Sequence, residues 1–432
     1  MPYAACGGSA YRRPQGLGSA ASASPVEAVE RFARSISELS PAEHGFSHLD
    51  IPRALARALA RAQAIERRSC LRSRPLHGMV IPVKDLYDVA GMPTTFGSRA
   101  RTRTATRTEP FVRSLLERGA VVPGKTATSE LGMTAYLEPV GLPAVENPRL
   151  PGCTPGGSSG GAAVAVARGL VNAAHASDGG GSIRIPSAAC AVVGYKPPHE
   201  SHGGVLSTQG FITRSVELSA YLHGVELPTD LPRLRVGLLT EPLFASVDVA
   251  PRWREAAEHA ARLLSRAGHR VVPVSPPPIA GEVFAAFRTI FTAGAAAVPA
   301  VRDDERGVDK PSPMVTHLRS VGSHVSPEDL HHAHEVQATM PALAEVDVVL
   351  NPTLAWDPPP IGHFSSLPPE EDFWEQTRWT PWASWFNMNG QAAVSVPCGG
   401  AGASVHLGAI TVPPSILLAL AREVSDEVTP AH

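Results

Sequence analysis

The chain is expected to fold as an α/β protein, with one mixed, mostly parallel, twisted central sheet and helices on both faces. Three observations predict it. Residues 234–239, 253–267 and 269–274 alternate as apolar run, helical repeat and apolar run, the order of a parallel βαβ unit. Short apolar runs at 170–174 and 346–350, bounded by glycine or proline, read as buried strands. A chain of 432 residues, 43% of them hydrophobic, can bury a large core. One large or two moderate domains fit that length, and the continuous alternation favours a single domain over 25–432.

Residues 1–24 are rich in Gly, Ala and Ser and read as a poorly ordered tail. Val26, Val29, Ala33 and Ile36 then recur at helical spacing, as do Leu55, Leu59 and Ala62, giving two amphipathic helices before the first strand. Residues 79–83 form an apolar run interrupted by Pro82, so Lys84 falls where a strand stops. A helix over 111–118 follows. Residues 121–123 read as a strand that turns at Gly124-Lys125-Thr126 into a further helix holding residues 129–133. Gly-Lys-Thr invites a phosphate-binding reading, but Ala-Val-Val-Pro between Gly119 and Gly124 is a strand and cannot cradle a phosphate. Near the C-terminus, 346–350 and 394–397 read as strands and 415–424 as a helix.

Composition narrows the partners. A formal net charge of −2 leaves no electrostatic footprint for nucleic acid or an anionic membrane, so a small molecule is the expected partner. No run of 18 or more apolar residues occurs, and the first 24 residues lack the apolar stretch of a signal peptide, which implies a cytoplasmic protein. The five cysteines, Cys6, Cys70, Cys153, Cys190 and Cys398, are scattered without a Cys-x-x-Cys pair, so neither a disulfide framework nor a metal site is expected. His331, His332 and His334 lie on a predicted helix without a carboxylate at metal-ligand spacing and are read as surface residues. Trp374, Trp379, Trp382 and Trp385, with Phe373 and Phe386, either line an apolar pocket or pack the C-terminal core.

The chemistry concentrates between residues 152 and 197. Ser158 follows Gly156 and Gly157, and Ser182 follows Gly179, Gly180 and Gly181. Glycine permits unusual backbone angles and close approach to a ligand, and successive amides in such a run can converge on a developing oxyanion. A flexible linker is the plain reading of Gly-Gly-Ser-Ser-Gly-Gly, yet core-forming sequence flanks it on both sides: a small apolar helical run over 162–167 and the strand over 170–174. Lys84 is read either as a solvated loop lysine or as a lysine desolvated at a strand end, which would favour its neutral form. His175 lies close to the second glycine run and is the competing base.

The motifs Gly156-Gly157-Ser158-Ser159-Gly160-Gly161, Ser177-Asp178-Gly179-Gly180-Gly181-Ser182-Ile183-Arg184-Ile185-Pro186 and Gly194-Tyr195-Lys196-Pro197 resemble those of the amidase signature hydrolases. The two serines have that family's spacing, and Lys84 in Gly78-Met79-Val80-Ile81-Pro82-Val83-Lys84 matches its catalytic lysine. The resemblance implies Ser182 as nucleophile, Ser158 as bridging serine after a cis Gly157–Ser158 bond, and Lys84 as base. It further implies the amides of Gly179, Gly180, Gly181 and Ser182 as oxyanion hole. Gly157, Asp178 and Arg184 are assigned to supporting the glycine loop, although a surface ion pair is the alternative for the last two. Ser129, Met133 and Tyr136 are expected to contact substrate, in a segment where Ala127 replaces the family's asparagine. The likeness is dense over 78–220 and thin over 221–380. Pro198-His199-Glu200 replaces a glycine-rich turn, and 403–408 reads as a remnant of a longer C-terminal motif.

Three functions follow from the resemblance: a hydrolase cleaving a carboxamide or related acyl bond, an acyl or amido transferase with the same triad, and a glutaminase subunit needing a partner protein. No cofactor is expected, and a homodimer is admitted without being required.

Overall fold

The computed structural model describes residues 24–67, 74–201, 203–299, 310–400 and 402–431. The expected tail over 1–24 lies outside them except for Ser24, which caps the helix Pro25–Ile36 by a reciprocal capping box with Glu27. Val29, Phe32 and Ile36 form the buried stripe of that helix.

In chain order the strands are β1 (Phe46–Leu49), β2 (Val83–Lys84), β3 (Pro93–Thr94), β4 (Arg103–Thr104), β5 (Gly124–Thr126), β6 (Ala173–Asp178), β7 (Val193–Lys196), β8 (Thr208–Thr213), β9 (Arg235–Leu238), β10 (Arg270–Pro273), β11 (Val348–Pro352), β12 (Ala393–Pro397) and β13 (Ser404–Ala409). Eight of them form a mixed central sheet in the order β10-β9-β11-β13-β12-β7-β8-β6. The α/β class with helices flanking a mixed sheet is as expected. The parallel majority is not. Only β9 with β10 and β9 with β11 pair in parallel, and every other pairing in this sheet is antiparallel. A parallel pair needs a long crossover, which the helix Pro251–Arg266 supplies between β9 and β10, whereas the short loop between β12 and β13 can only reverse the chain.

A second sheet, in the order β1-β5-β2, carries Lys84, with β1 antiparallel and β2 parallel to β5. Here the structure corrects four boundaries. Strand β1 stands between the two N-terminal helices, Pro25–Ile36 and Ile51–Arg67, which were expected to precede any strand. Gly124-Lys125-Thr126 is itself the strand rather than a turn, because Gly124 lets the backbone of β1 pass close: a Cβ there would stand 2.1 Å from the His48 carbonyl oxygen. The segment after it forms a single 3-10 turn, Glu130–Gly132, in which Leu131 has a φ of 54°, and not a helix. The strand expected over 170–174 begins at Ala173 and runs to Asp178.

The largest apolar cluster spans the chain from Phe32 to Val428 and includes Trp253, Trp379, Trp382, Trp385 and Phe386. At its centre the helix Gly160–Ala167 is buried at every residue, which its Gly, Ala and Val composition allows. Residues 403–408, read as the remnant of a longer motif, have a structural place of their own. They form most of β13, flanked by β11 and β12, where Gly408 makes room for the Phe386 ring.

Candidate active site

Lys84 sits at the end of β2 and is fully buried. Its Nζ donates to Ser158 Oγ at 2.7 Å and to Ser177 Oγ at 3.1 Å. Burial pushes its pKa down to about 7, the charge of Asp178 opposing the shift only in part. A buried ammonium without an adjoining carboxylate favours loss of its proton, so this amine is balanced between its two forms near neutral pH.

Ser158 is also buried, and the Gly157–Ser158 peptide bond is cis, as the resemblance implied. Gly157 has no room for a side chain: a Cβ there would stand 2.4 Å from the Tyr136 carbonyl oxygen and 2.7 Å from that of Thr134. The amide of Ser159 donates to the Ser182 carbonyl at 3.3 Å and holds the two serine turns together. Among the described residues no hydrogen bond joins the Ser182 hydroxyl to Ser158, so the structure links Lys84 to Ser158 but leaves the last step of the expected relay open.

The glycine loop hangs on a buried ion pair. Arg184 donates to both carboxylate oxygens of Asp178, at 2.9 and 3.0 Å, and both side chains are fully buried, so the surface-pair alternative is excluded. Burial by itself would raise the Asp178 pKa, but the Arg184 guanidinium, the hydrogen bonds from Arg184 and Asn387, and Lys196 hold it well below the usual carboxylate range. Arg184 also reaches Asn387 Oδ1 at 2.8 Å, the Ala383 carbonyl at 2.9 Å and His406 Nε2 at 3.0 Å, so the C-terminal half anchors this loop.

Asp178 Oδ1 accepts the Gly181 amide at 2.7 Å, and Oδ2 accepts that of Ile183 at 3.1 Å. This corrects the expected oxyanion hole. The Gly181 amide is already bonded, and its φ of +119°, with Ile185 and Ala383 where a Cβ would stand, requires glycine at this turn. Gly179, Gly180 and Ser182 line a cleft of about 100 Å³, and among the described residues their amides have no partner within the chain.

Of the residues expected to contact substrate, only Met133 lines the cleft. Ser129 is buried beneath it, its hydroxyl accepting the Thr134 amide at 3.4 Å. Tyr136 turns away, its hydroxyl donating to Asp372 Oδ2 at 2.9 Å and its ring stacking on Phe364 at 5.2 Å. Asp372 is buried, which raises its carboxyl pKa to about 7, and it also accepts from Gln376 Nε2 at 2.7 Å. Gln376, Phe284, Phe287, Phe291 and Phe373 line the cleft; Phe373 is expected from sequence as either pocket lining or core, and the other four are given no place there. Helical spacing on residues 280–297 was the available signal.

His175 is a poor base here. Its Nδ1 accepts the Lys84 amide at 3.4 Å, which leaves Nε2–H to donate to Gln209 Oε1 at 3.0 Å, and Tyr87 and Phe111 pack on its ring. Burial lowers its pKa to about 3. His331 and His332 are exposed and His334 is half-buried. Among the described residues no cluster of His, Cys, Asp and Glu could hold a metal, and no helix is long and apolar enough to cross a membrane.

A family model described as Amidase matches residues 27–226 and 224–411. The chain belongs to the amidase family. A Mycobacterium tuberculosis protein named "Putative amidase AmiB2" is 32% identical over 413 residues, covering 87% of each chain. A second from that organism, AmiA2, is 43% identical over 203 residues, 45% of this amidase and 41% of its own length. The fold has solved counterparts. A 6-aminohexanoate cyclic dimer hydrolase superposes with a TM-score of 0.79 at 22% identity, covering 95% of this amidase and 96% of that chain. The peptide amidase of Stenotrophomonas maltophilia does so with a TM-score of 0.74 at 22% identity, covering 95% of each. This amidase is therefore an enzyme that hydrolyses C–N bonds of amides, and the geometry above lies within the matched residues.

Proposed function

We propose that this amidase cleaves a small-molecule carboxamide, outside peptide bonds, through an acyl-serine on Ser182, with Lys84 as base and Ser158 as proton relay. The observation that carries the reading is the fully buried Lys84 amine, 2.7 Å from the Ser158 hydroxyl. A serine hydroxyl needs a base, and a neutral amine can serve as one through a second hydroxyl. As Ser182 Oγ attacks the amide carbon, its proton passes to Ser158, whose own proton passes to Lys84. The carbonyl oxygen takes up negative charge against the free amides of Gly179, Gly180 and Ser182. Collapse breaks the C–N bond, and Ser158 returns a proton to the departing amine, Lys84 resupplying it. Water then repeats the sequence on the acyl-serine, releasing the carboxylic acid and regenerating the Ser182 hydroxyl. Catalytic hydrogen bonds commonly close only when substrate is bound, and the Ser158–Ser182 contact is the one in question.

A fluorophosphonate probe tests the assignment: peptide mapping is expected to find the label on Ser182 alone. Label on Ser158 or Ser187 would falsify it, and Ser187 makes a good internal control because its buried hydroxyl donates to the Ile183 carbonyl at 2.8 Å. Product masses with and without added amines separate hydrolysis from acyl transfer. Turnover by the isolated chain argues against a partner-dependent glutaminase.

A further inference from the structure

The cleft beside Ser182 has an aromatic wall that the chemistry above leaves without a task. Helix Ala280–Ala297 presents Phe284, Phe287 and Phe291 to the cleft, and Phe373 comes from helix Pro369–Trp379. The rings form a row, Phe244 to Phe284 at 4.9 Å, Phe284 to Phe287 at 5.9 Å and Phe287 to Phe291 at 5.4 Å, all close to parallel. Phe287 reaches the oxyanion loop: a Cβ built on Gly180 would stand 3.1 Å from its Cζ. Gly132 also lines the cleft, and a Cβ there would stand 3.2 Å from Ser158 Oγ. The amine must leave beside its proton donor Ser158, whereas the Phe287 ring packs on Gly180, in the loop proposed to meet the acyl carbonyl.

Two further facts define what fits. Among the described residues lining the cleft, none is Lys, Arg, His, Asp or Glu. Arg288, the nearest cation on that helix, lies over the rings of Phe373 and Trp374 at 5.1 and 4.9 Å and does not line the cleft. The cavity, about 100 Å³, is far below the roughly 300 Å³ at which pockets for drug-sized ligands begin.

We propose that Phe287 sets the length limit of the acyl group and that the substrates are amides with a compact, uncharged acyl group. The inference rests on Ser182 being the acylated residue. A longer chain must displace a ring held between two stacked neighbours, Phe284 and Phe291. A charged chain must enter a cleft with no counter-charge, where desolvation is uncompensated.

The test is a series of p-nitroanilides, acetyl, butyryl, octanoyl and the anionic succinyl, with wild type, Phe287→Ala and Phe287→Leu, alongside fluorophosphonate labelling of each. In wild type, kcat/KM for butyryl is expected to exceed that for octanoyl at least tenfold and for succinyl at least a hundredfold. Phe287→Ala should raise the octanoyl-to-butyryl ratio tenfold or more while Ser182 remains labelled. If Phe287→Ala does not fold, Phe287→Leu should move the ratio in the same direction by a smaller factor. Four results overturn the proposal while the Ser182 assignment survives: Ser182 labelled with the ratio unmoved, with octanoyl cleaved as well as butyryl, with succinyl cleaved as well as butyryl, or with the whole series inert. Absence of both label and turnover removes the Ser182 assignment, and this inference with it.

Discussion

Lys84 and Lys125 lie on paired strands, Val83 opposite Lys125 and Lys84 opposite Thr126, and both are fully buried. Their surroundings differ in one respect. Lys125 Nζ has Asp85 Oδ1 at 2.9 Å and Thr94 Oγ1 at 3.1 Å, whereas Lys84 Nζ is met by the hydroxyls of Ser158 and Ser177. Burial lowers the pKa of each, but the carboxylate beside Lys125 counters the shift and keeps an ion pair, while Lys84 descends to about 7. Depth alone therefore does not make a lysine a base. What makes one is a fold that surrounds the amine with hydroxyls and places the carboxylate on its neighbour.

Removing the proposed base tests that contrast most severely. Lys84→Ala and Ser182→Ala are each expected to lower kcat by on the order of 10⁴-fold, the double variant being scarcely worse because the residues act as one relay. Ser158→Ala should retain more activity, since water can occupy the hydroxyl's space. In wild type, kcat/KM should rise with pH through about 7 as Lys84 loses its proton. Near-native turnover in Lys84→Ala together with its loss in His175→Ala would transfer the role to the histidine and break the comparison.

A smaller effect is expected at the paired lysine. Lys125→Met leaves the Asp85 carboxylate buried without its cation, which costs about 3–5 kcal/mol of stability. Denaturant unfolding measures the loss, and the rising limb of kcat/KM should stay near 7. Movement of that limb would mean that the two amines share a titration.

The smallest effect is a gain. Lys84 has a folded pKa of about 7 against roughly 10.4 unfolded, so between these values the unfolded state holds more protons. Its contribution to stability is therefore complete above the unfolded value and is lost progressively as pH falls to 7. Lys84→Met, inactive as an enzyme, should then be more stable than wild type by about 1–4 kcal/mol at pH 6, with the difference shrinking as pH rises toward 10. An equal or lower stability at pH 6 would show that the amine is buried without cost.

The proposed catalytic side chains could be picked out in the sequence because each is marked locally, Ser158 and Ser182 by glycine runs and Lys84 by an apolar strand. Loop support was legible too, since Asp178 and Arg184 flank the turn they hold. The cleft was not. Its wall comes from Phe287 and Phe373, remote in sequence from the serines, and nothing in a helical apolar repeat distinguishes a ring that faces substrate from one that faces core. Tyr136 was misassigned for a related reason: Asp372, its hydrogen-bond partner, lies 236 positions away. The parallel majority failed because one βαβ unit was extended to strands whose connections are short.

Strand β6 ends the large sheet, and its outer edge is occupied. The His175 amide donates to the Pro82 carbonyl at 2.9 Å, so the segment leading to Lys84 lies along that edge. The opposite edge is β10, four residues long, which ends at Pro273 with Pro276, Pro277 and Pro278 soon after. An exposed edge is where a second chain adds strand to strand, and proline removes the donors that such addition requires. The seam that seats the lysine thus also closes the β6 end of the sheet to a further strand.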